Sequence, residues 1–309
     1  MIFRYTRLKK HPVVFRSVTG LRVGEFNEYT EPLLIKLAEN ERQRLKNKEN
    51  RQRNVGGGRN HELPWREQLL LTIIWLRLYP TYEVLGYFFN VSDSTAHRSV
   101  KRCLPILEEA GRSEIEKSKA HAERKRGYNL EQIFEQIPGF VVVIDAFEQT
   151  IERPKQRSEA DRWYSGKQKA HTIMSQIGVD AYTGEVLDVA DSMRGGRQDK
   201  GYFNESGIVD RLPEDTTFMG DLGYPGLDKD LERAAIPRKK PRGKPRPEAD
   251  KVYNTTFSRA RVIVENTIAL IRRYLALLIR DRHHRKLHTE RVVAVAGLVN
   301  FAKRSRYVY

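Results

Sequence analysis

The sequence predicts an α/β protein in which a mixed sheet with flanking helices follows an all-helical region. Between residue 63 and about residue 110, the apolar side chains recur at the spacing of helices, and a polar connector that is also expected to be helical follows up to about residue 138. Beyond that point, short continuous apolar runs alternate with turn-forming residues, as in buried strands. Three predicted strands, a helix, a fourth strand and later helices are typical of a domain built around one sheet.

The balance of charges indicates a polyanionic partner. The 309 residues include 56 Lys and Arg against 40 Asp and Glu, a formal net charge of +16 at neutral pH. Basic side chains that neutralise phosphates release counterions, so nucleic acid is the commonest partner of such a chain. Association with ribosomes or with an anionic membrane surface would explain the same charge.

Three features favour a cytoplasmic protein without a membrane span, and its expected nucleic-acid partner favours association with the nucleoid. The longest apolar run, residues 69–76, is too short to cross a bilayer. The N-terminus has no apolar segment followed by a small-residue cleavage site, so no secretory signal is expected. Cys103 is the sole cysteine, which excludes an internal disulfide and a cysteine-based metal cluster.

Residues 81–102 have the pattern of a helix-turn-helix. Gly86 is small where two crossed helices must approach closely, and Asn90 tolerates the left-handed backbone of a tight turn. Val91 would fill the angle between the helices, and Ser92 is a favourable N-cap for the second one. The residues expected to face the core are Ala96 and Val100.

The outward face of the second helix is polar and basic, as in helices that read base edges. Its predicted DNA contacts are Ser94, Thr95, Arg98, Lys101 and Arg102, with His97 beside them. A helical hairpin that touches no DNA is the alternative, and the basic face together with the overall charge favours DNA binding.

Four segments are expected along the chain. Residues 1–62 are predicted to be an N-terminal polar arm and helix, because charged helix-forming residues precede a run of three glycines. Residues 63–110 form the predicted helix-turn-helix DNA-binding domain, and residues 111–138 a helical connector. Residues 139–309 are expected to form the α/β domain.

Within that domain, the first predicted strand is the apolar run that ends at Asp145. Further strands are predicted at residues 171–179, 186–190 and 216–220, and helices at residues 199–210 and 257–279. The long helix has an apolar stripe that consists of Val264, Ile268, Ile271, Leu275 and Leu278.

Three carboxylates occupy positions from which they could hold metal ions together. Asp145 ends the most apolar predicted strand, Asp221 ends another, and Glu265 lies among apolar residues on the long helix. Hard divalent cations bind oxygen ligands on rigid elements, and a pair of such ions supports phosphodiester cleavage and transfer. Each acid alone has a structural explanation, such as a turn or a pairing of Glu265 with Arg261 or Arg272. Their order on strand, strand and helix is more informative.

Several segments, in matching order between about residues 63 and 301, resemble DDE-class insertion-sequence transposases. They are residues 139–145, 164–172, 220–226, 258–268 and 297–301, and the third of these reads Gly-Asp-Leu-Gly-Tyr-Pro-Gly. Within that class the chain is similar to the insertion-sequence-five group, which is related to Harbinger-type nucleases.

The resemblance implies an RNase H-like catalytic fold for residues 139–309, with Asp145, Asp221 and Glu265 as its metal-binding triad. It implies Mg²⁺ as the cofactor, with Mn²⁺ as a substitute, and double-stranded DNA with terminal inverted repeats as the substrate. Gln198 and Asn266 stand where the family often has histidine, and neither position belongs to the triad.

Further basic residues are candidate DNA contacts. Lys167, Lys169 and His171 lie beside the first acidic strand, and a solvated sheet edge protected by lysine explains them equally well. The proline-rich segment 237–247 contributes Lys239, Lys240, Arg242 and Lys244. For it we favour contacts with phosphates over insertion into a narrow minor groove. Arg272 on the long helix is the last candidate.

Three histidines, His283, His284 and His288, include a pair at a spacing that metal sites use. No matching glutamate pattern accompanies them, and their neighbours are basic. We therefore expect them at the surface or facing DNA.

Together these observations predict a transposase that binds terminal inverted repeats and performs metal-dependent cleavage and strand transfer of DNA. A homodimer is expected, because two element ends must be joined to target DNA. The alternatives are a DNA-binding regulator derived from a transposase and an RNase H-like nuclease that does not transpose. A kinase or NTPase is disfavoured, since the sequence lacks a phosphate-binding Gly-x-x-x-x-Gly-Lys-Ser/Thr loop.

Overall fold

The computed structural model describes residues 3–47, 61–125, 140–240, 243 and 245–307. Its first part is helical and its second part is a mixed sheet with flanking helices, as the sequence predicts. The predicted glycine joint, the end of the predicted connector, Arg242 and Lys244 lie outside the described residues.

Among the described residues before position 48, the chain forms three helices: α1 (Tyr5–Leu8), α2 (Pro12–Thr19) and α3 (Val23–Lys46). The prediction of a polar arm is wrong for this region, because its apolar side chains belong to the core. The rings of Phe15 and Phe26 are fully buried and meet edge to face with centroids 5.3 Å apart. The charged run that suggested an arm lies on the largely exposed C-terminal part of α3.

The helix-turn-helix follows the helix α4 (Trp65–Leu78) and consists of α5 (Tyr82–Phe89) and α6 (Asp93–Lys125). Asn90 between them has a φ of 54°, the left-handed conformation that the turn requires. Ser92 Oγ accepts a hydrogen bond from the backbone N–H of Thr95 at 3.1 Å and so caps α6. Ala96 and Val100 are buried. The predicted turn and core face are confirmed.

Within residues 140–235, seven strands form a mixed sheet. Its hydrogen-bonded order is β2 (Tyr164–Ser165), β3 (Ala170–Asp180), β1 (Phe140–Thr150), β6 (Thr216–Met219) and β7 (Ala234–Ala235). β4 (Val186–Val189) and β5 (Met193–Arg194) also pair with β3. β1 is antiparallel to β3 and parallel to β6.

The apolar run predicted that the first strand ends at Asp145. In the structure, Asp145 lies in the middle of β1. The strand continues to Thr150 and stays paired with β3 over its whole second half. Phe147 and Gln149 are buried there, whereas Glu148 between them is half-buried. In the second half of β1, buried and half-buried residues alternate, whereas the first half is continuously apolar. A search for continuous apolar runs therefore misses the second half of the strand.

Five helices accompany the sheet: α7 (Arg157–Trp163), α8 (Asp199–Ser206), α9 (Leu227–Asp230), α10 (Glu248–Arg272) and α11 (His288–Tyr307). The long helix α10 begins earlier than predicted and also ends earlier. Tyr274 turns inward after its end, and its hydroxyl donates to the backbone oxygen of Thr19 at 3.2 Å. Leu275 therefore starts a short 3-10 turn instead of extending the apolar stripe.

The predicted boundary after Ala110 falls inside α6, which continues without a break to Lys125. Its second half packs along α11. Gly111 and Gly297 make this crossing close, since a Cβ on Gly297 would lie 2.3 Å from Gly111 Cα. The expected connector, as far as it is described, is thus the second half of α6.

Asn300 on α11 joins the two halves of the fold. Its Oδ1 accepts from the backbone N–H of Val186 on β4 at 2.8 Å, and its Nδ2 donates to the carbonyl of the same residue at 2.7 Å. The Nδ2 group also donates to Ser118 Oγ on α6 at 2.9 Å. The motif at residues 297–301 therefore has a structural role.

Among the described residues, no helix combines the length and apolar character that crossing a bilayer requires.

Candidate active site

Two aspartates lie at the same level of neighbouring strands. β1 and β6 run parallel with Val143 opposite Met219, and Asp145 and Asp221 each follow two residues later. Both side chains are half-buried. Asp221 lies in the turn after β6, where its Oδ1 accepts a hydrogen bond from the backbone N–H of Gly223 at 2.7 Å. The sheet therefore presents two carboxylates side by side.

The electrostatics of Asp145 are those of a crowded acidic site. Burial raises the pKa of Asp145 to about 6, and the negative charges of Asp221 and Asp199 act in the same direction. A hydrogen bond from the backbone N–H of Ala146 at 2.8 Å and the positive charge of Arg261 oppose this shift. A cation bound here would relieve the repulsion.

Glu265 faces the same site from α10, which packs against β1 and β3. Arg261, one helical turn earlier, lies between two carboxylates: its Nε is 3.0 Å from Glu265 Oε1, and its Nη2 is 3.5 Å from Asp221 Oδ2. Glu265 and Asp221 therefore flank a single guanidinium group. A salt bridge with Arg261 is also the purely structural explanation of Glu265 that the sequence allows, and that salt bridge is present.

Asp199, the first residue of α8, is a further carboxylate at this site, and the sequence reasoning missed it. A Cβ on Gly223 would lie 2.5 Å from Asp199 Oδ2 and 2.8 Å from Asp221 Oδ1, so both acids border the same small space. Burial raises the pKa of Asp199, and the positive charge of Lys167 lowers it. The available signal was its position directly after Gln198, which stands where the resembling family often has histidine.

The donor groups fit a hard divalent cation. Carboxylate oxygens such as those of Asp145, Asp221 and Glu265 are the ligands that Mg²⁺ and Mn²⁺ prefer. Within the described ranges, however, no three His, Cys, Asp or Glu side chains are close enough to hold one ion. The three carboxylates of Asp145, Asp221 and Glu265 therefore do not converge on one point in this structure, and Arg261 supplies the positive charge between Asp221 and Glu265. A cation shared by Asp221 and Glu265 requires Arg261 to turn away.

Comparison with known proteins identifies the family. Residues 144–300, which include all four carboxylates, match the family described as DDE superfamily endonuclease. The chain belongs to the DDE superfamily of endonucleases. Residues 61–113 of this endonuclease match the family described as helix-turn-helix of DDE superfamily endonuclease.

The endonuclease is also similar to a curated protein, "Probable transposase for insertion sequence element IS702" of Microchaete diplosiphon. The two sequences are 27% identical over 244 residues, which cover 79% of this chain and 83% of the relative. The similarity therefore extends over most of both proteins.

On the recognition helix of the endonuclease, only some of the predicted DNA contacts are open to solvent. Ser94, Arg98 and Lys101 are exposed. Arg102 is half-buried: it donates to Gln68 Oε1 at 2.6 Å and lies over the ring of Trp65. The hydroxyl of Thr95 is hydrogen-bonded to Ser92 and Glu62. The side chains of Thr95 and Arg102 therefore attach α6 to Glu62, Gln68 and Trp65, and they are less available to DNA than Ser94, Arg98 and Lys101.

The other basic candidates differ in their surroundings. Lys167 and Lys169 are exposed, and His171 is half-buried against the ring of Tyr164. Lys239 and Lys240 are exposed as well, which leaves them available to phosphates. Arg272 is half-buried at the end of α10, and its Nε has no hydrogen-bond partner among the described residues.

The expectation for the three histidines is wrong for His288. His288 is fully buried and bonded to Gln149 Oε1 at 2.7 Å, and burial lowers its pKa to about 3. His283 is half-buried beside Tyr82, and burial lowers its pKa to about 4. Only His284 of the three is exposed. The rings of Trp75, Tyr79 and Tyr82 from the helical half cover His283. No local pattern in the sequence reveals this contact.

Proposed function

We propose that this DDE endonuclease is a transposase that binds terminal inverted repeats through α5 and α6 and then cuts and joins DNA at the acidic site. The observation that carries the proposal is the placement of Asp145 and Asp221 side by side, with Glu265 facing them across Arg261. The chain also carries a helix-turn-helix, and its relative is described as a probable transposase. The antiparallel and parallel neighbours of β1 support an RNase H-like arrangement.

In this proposal, Asp145, Asp221 and Glu265 hold divalent ions, with Mg²⁺ as the physiological metal and Mn²⁺ as a substitute. Such ions activate an oxygen nucleophile and neutralise charge on the leaving oxygen. Asp199 borders Asp221 and orients or completes this set of oxygens. Lys167, whose charge acts on Asp199, is positioned to meet a DNA phosphate near the acids.

The proposal is tested with a labelled duplex that carries the inverted repeats flanking the gene, an unlabelled target duplex and Mg²⁺. We expect breaks at the repeat ends and covalent transfer of those ends into the target. Cutting without transfer would support a nuclease that does not transpose, and repeat-specific binding without cutting would support a regulator. We further propose a homodimer, because two ends must be joined, and cross-linking during the same reaction tests it.

Replacing Arg98 with alanine is expected to weaken binding to the repeats. Arg98 is exposed on α6, and removing a side chain that bonds to a base edge costs about 1–3 kcal/mol. Fluorescence anisotropy with repeat and scrambled duplexes measures the effect. Arg112→Ala, farther along the same helix and paired with Glu108, is the matched control. Equal discrimination between the two duplexes by both variants would remove Arg98 from the reading face.

A further inference from the structure

A basic cleft of about 760 Å³ lies between the end of β1 and the segment that precedes α11. Its walls carry Arg153, Lys155, Arg282, Arg285 and Lys286. Arg282 lies over the ring of Tyr79 at 4.5 Å from the centroid, and Arg285 over the ring of Trp163 at 4.4 Å. These rings hold two guanidinium groups in position without removing their charge. Nη1 of Arg285 also lies 3.6 Å from Glu159 Oε2, so the charge of Arg285 is partly balanced.

The acids of the cleft do not balance its positive charge. Asp281 is buried and forms an ion pair with the equally buried Arg291. Glu152 is exposed and is paired with Arg280. Among the described residues, Arg153, Lys155 and Lys286 are exposed and form no salt bridge. Several positive charges in one concave surface therefore lack compensation, and such a surface attracts a polyanion.

The cleft is anchored to the sheet and is not a loose surface loop. Asp281 forms a parallel bridge with Ile151, and its backbone N–H donates to the carbonyl of Thr150 at 2.8 Å. Gln149 Nε2 donates to the carbonyl of Ala276 at 3.0 Å. The far wall is thus fixed to the last residues of β1.

The position of the cleft links the helix-turn-helix with the acidic site. Its wall residue His283 is hydrogen-bonded to the hydroxyl of Tyr82 on α5 at 3.0 Å. The ring of Tyr82 meets that of His97 on the recognition helix, with centroids 5.0 Å apart. Ile151 follows Asp145 by six positions, just past the end of β1, which corresponds to about 20 Å of extended chain.

We propose that this cleft binds the sugar-phosphate backbone of the repeat DNA between the sequence read by α6 and the bond cut at the acids. The inference rests on the proposed function and extends it by a binding site. Duplex DNA rises about 3.4 Å per base pair, so a 20 Å path corresponds to roughly six base pairs. The cleft holds the DNA end in register with the acids.

The test is the triple variant Arg153→Gln, Lys155→Gln and Lys286→Gln in the full chain, with a duplex that carries the flanking inverted repeat. The dissociation constant is expected to rise about 10–100-fold at moderate salt, and the slope of its logarithm against that of salt concentration to fall by about two to three. Hydroxyl-radical footprinting is expected to lose protection over roughly six base pairs next to the cleavage site.

The matched control removes three cations that are already paired with glutamates: Lys36→Gln, Arg112→Gln and Lys117→Gln. It lowers the net charge equally and is expected to leave slope and footprint unchanged. If the cleft variant matches this control while the unmodified chain binds and cuts repeat DNA, the cleft proposal is overturned and the proposed function stands. If the unmodified chain binds no repeat DNA, the proposed function itself fails.

Discussion

Asp221→Asn is expected to abolish cleavage of repeat DNA, with a loss of about a thousandfold or more in the single-turnover rate with Mg²⁺. Such a loss corresponds to about 4 kcal/mol of activation free energy. The substitution keeps the oxygen that accepts from Gly223 but removes the charge that a shared divalent ion requires. Binding to the repeat is expected to stay within about twofold, because the helix-turn-helix is untouched.

The control for this experiment is Asp228→Asn, which neutralises an exposed aspartate on the neighbouring helix α9. It is expected to cut at the normal rate. Glu265→Gln is expected to behave as Asp221→Asn does. Asp199→Asn is expected to weaken Mg²⁺ binding by about 10–100-fold, the usual effect of losing a group that supports the ligands. Near-normal cleavage by Asp221→Asn would remove that residue from the site.

Asp145→Asn is expected to lose cleavage as well, and its stability separates this loss from unfolding. Burial raises the pKa of Asp145 from 3.8 to about 6, so its ionisation disfavours the folded state as pH rises through this range. In a chelator at neutral pH, the variant is therefore expected to be about 1–3 kcal/mol more stable than the unmodified chain. Below pH 3.8 the difference disappears, because the carboxyl is protonated in both states.

Asp281→Asn is expected to destabilise the fold by about 3–5 kcal/mol, the usual cost of breaking a buried ion pair on one side. Asp281 and Arg291 are both buried, and Arg291 Nε and Nη1 have no other partner among the described residues. The same carboxylate accepts from the hydroxyl of Tyr79 at 2.9 Å, which connects the helical half to the sheet. Urea denaturation measures the change.

Two further variants identify the cause. Asp281→Asn combined with Arg291→Met is expected to recover much of the lost stability, because no charge is then left buried without a partner. Glu152→Gln breaks the exposed pair with Arg280 and is expected to change stability by less than about 1 kcal/mol. Equal effects of Asp281→Asn and Glu152→Gln would contradict a buried network at this position.

Much of the fold was predictable because its signals are local. The turn at Asn90 and the apolar runs of β1 and β6 depend on a few neighbouring residues, and the structure has them where the sequence indicates. The three acids could be singled out for the same reason. Each stands next to an element with a clear pattern, and parallel pairing of β1 and β6 brings two of them together.

The remaining features depend on contacts between distant segments. Phe15 and Phe26 are separated by charged residues, and only the packing of α1, α2 and α3 against one another buries them. Arg261 stands between two acids because α10 crosses the sheet at that level, which no spacing along the helix specifies for Asp221. Asp199 joins the site because Gly223 leaves room beside it. Each of these requires the assembled fold.

The uninterrupted course of α6 connects the helix-turn-helix directly to the sheet half of the fold. The helix has 33 residues, about 50 Å of length, and carries exposed Arg98 near one end and the Ser118 contact to α11 towards the other. In the proposed function, the number of base pairs between the bases read and the bond cut is then set by the distance in the protein between Arg98 and the acidic site. One extra base pair in that interval rotates the scissile phosphate by about 34° around the duplex. The number of base pairs between the bases read by α6 and the bond cut is therefore expected to be constant, even where the sequence of that interval varies.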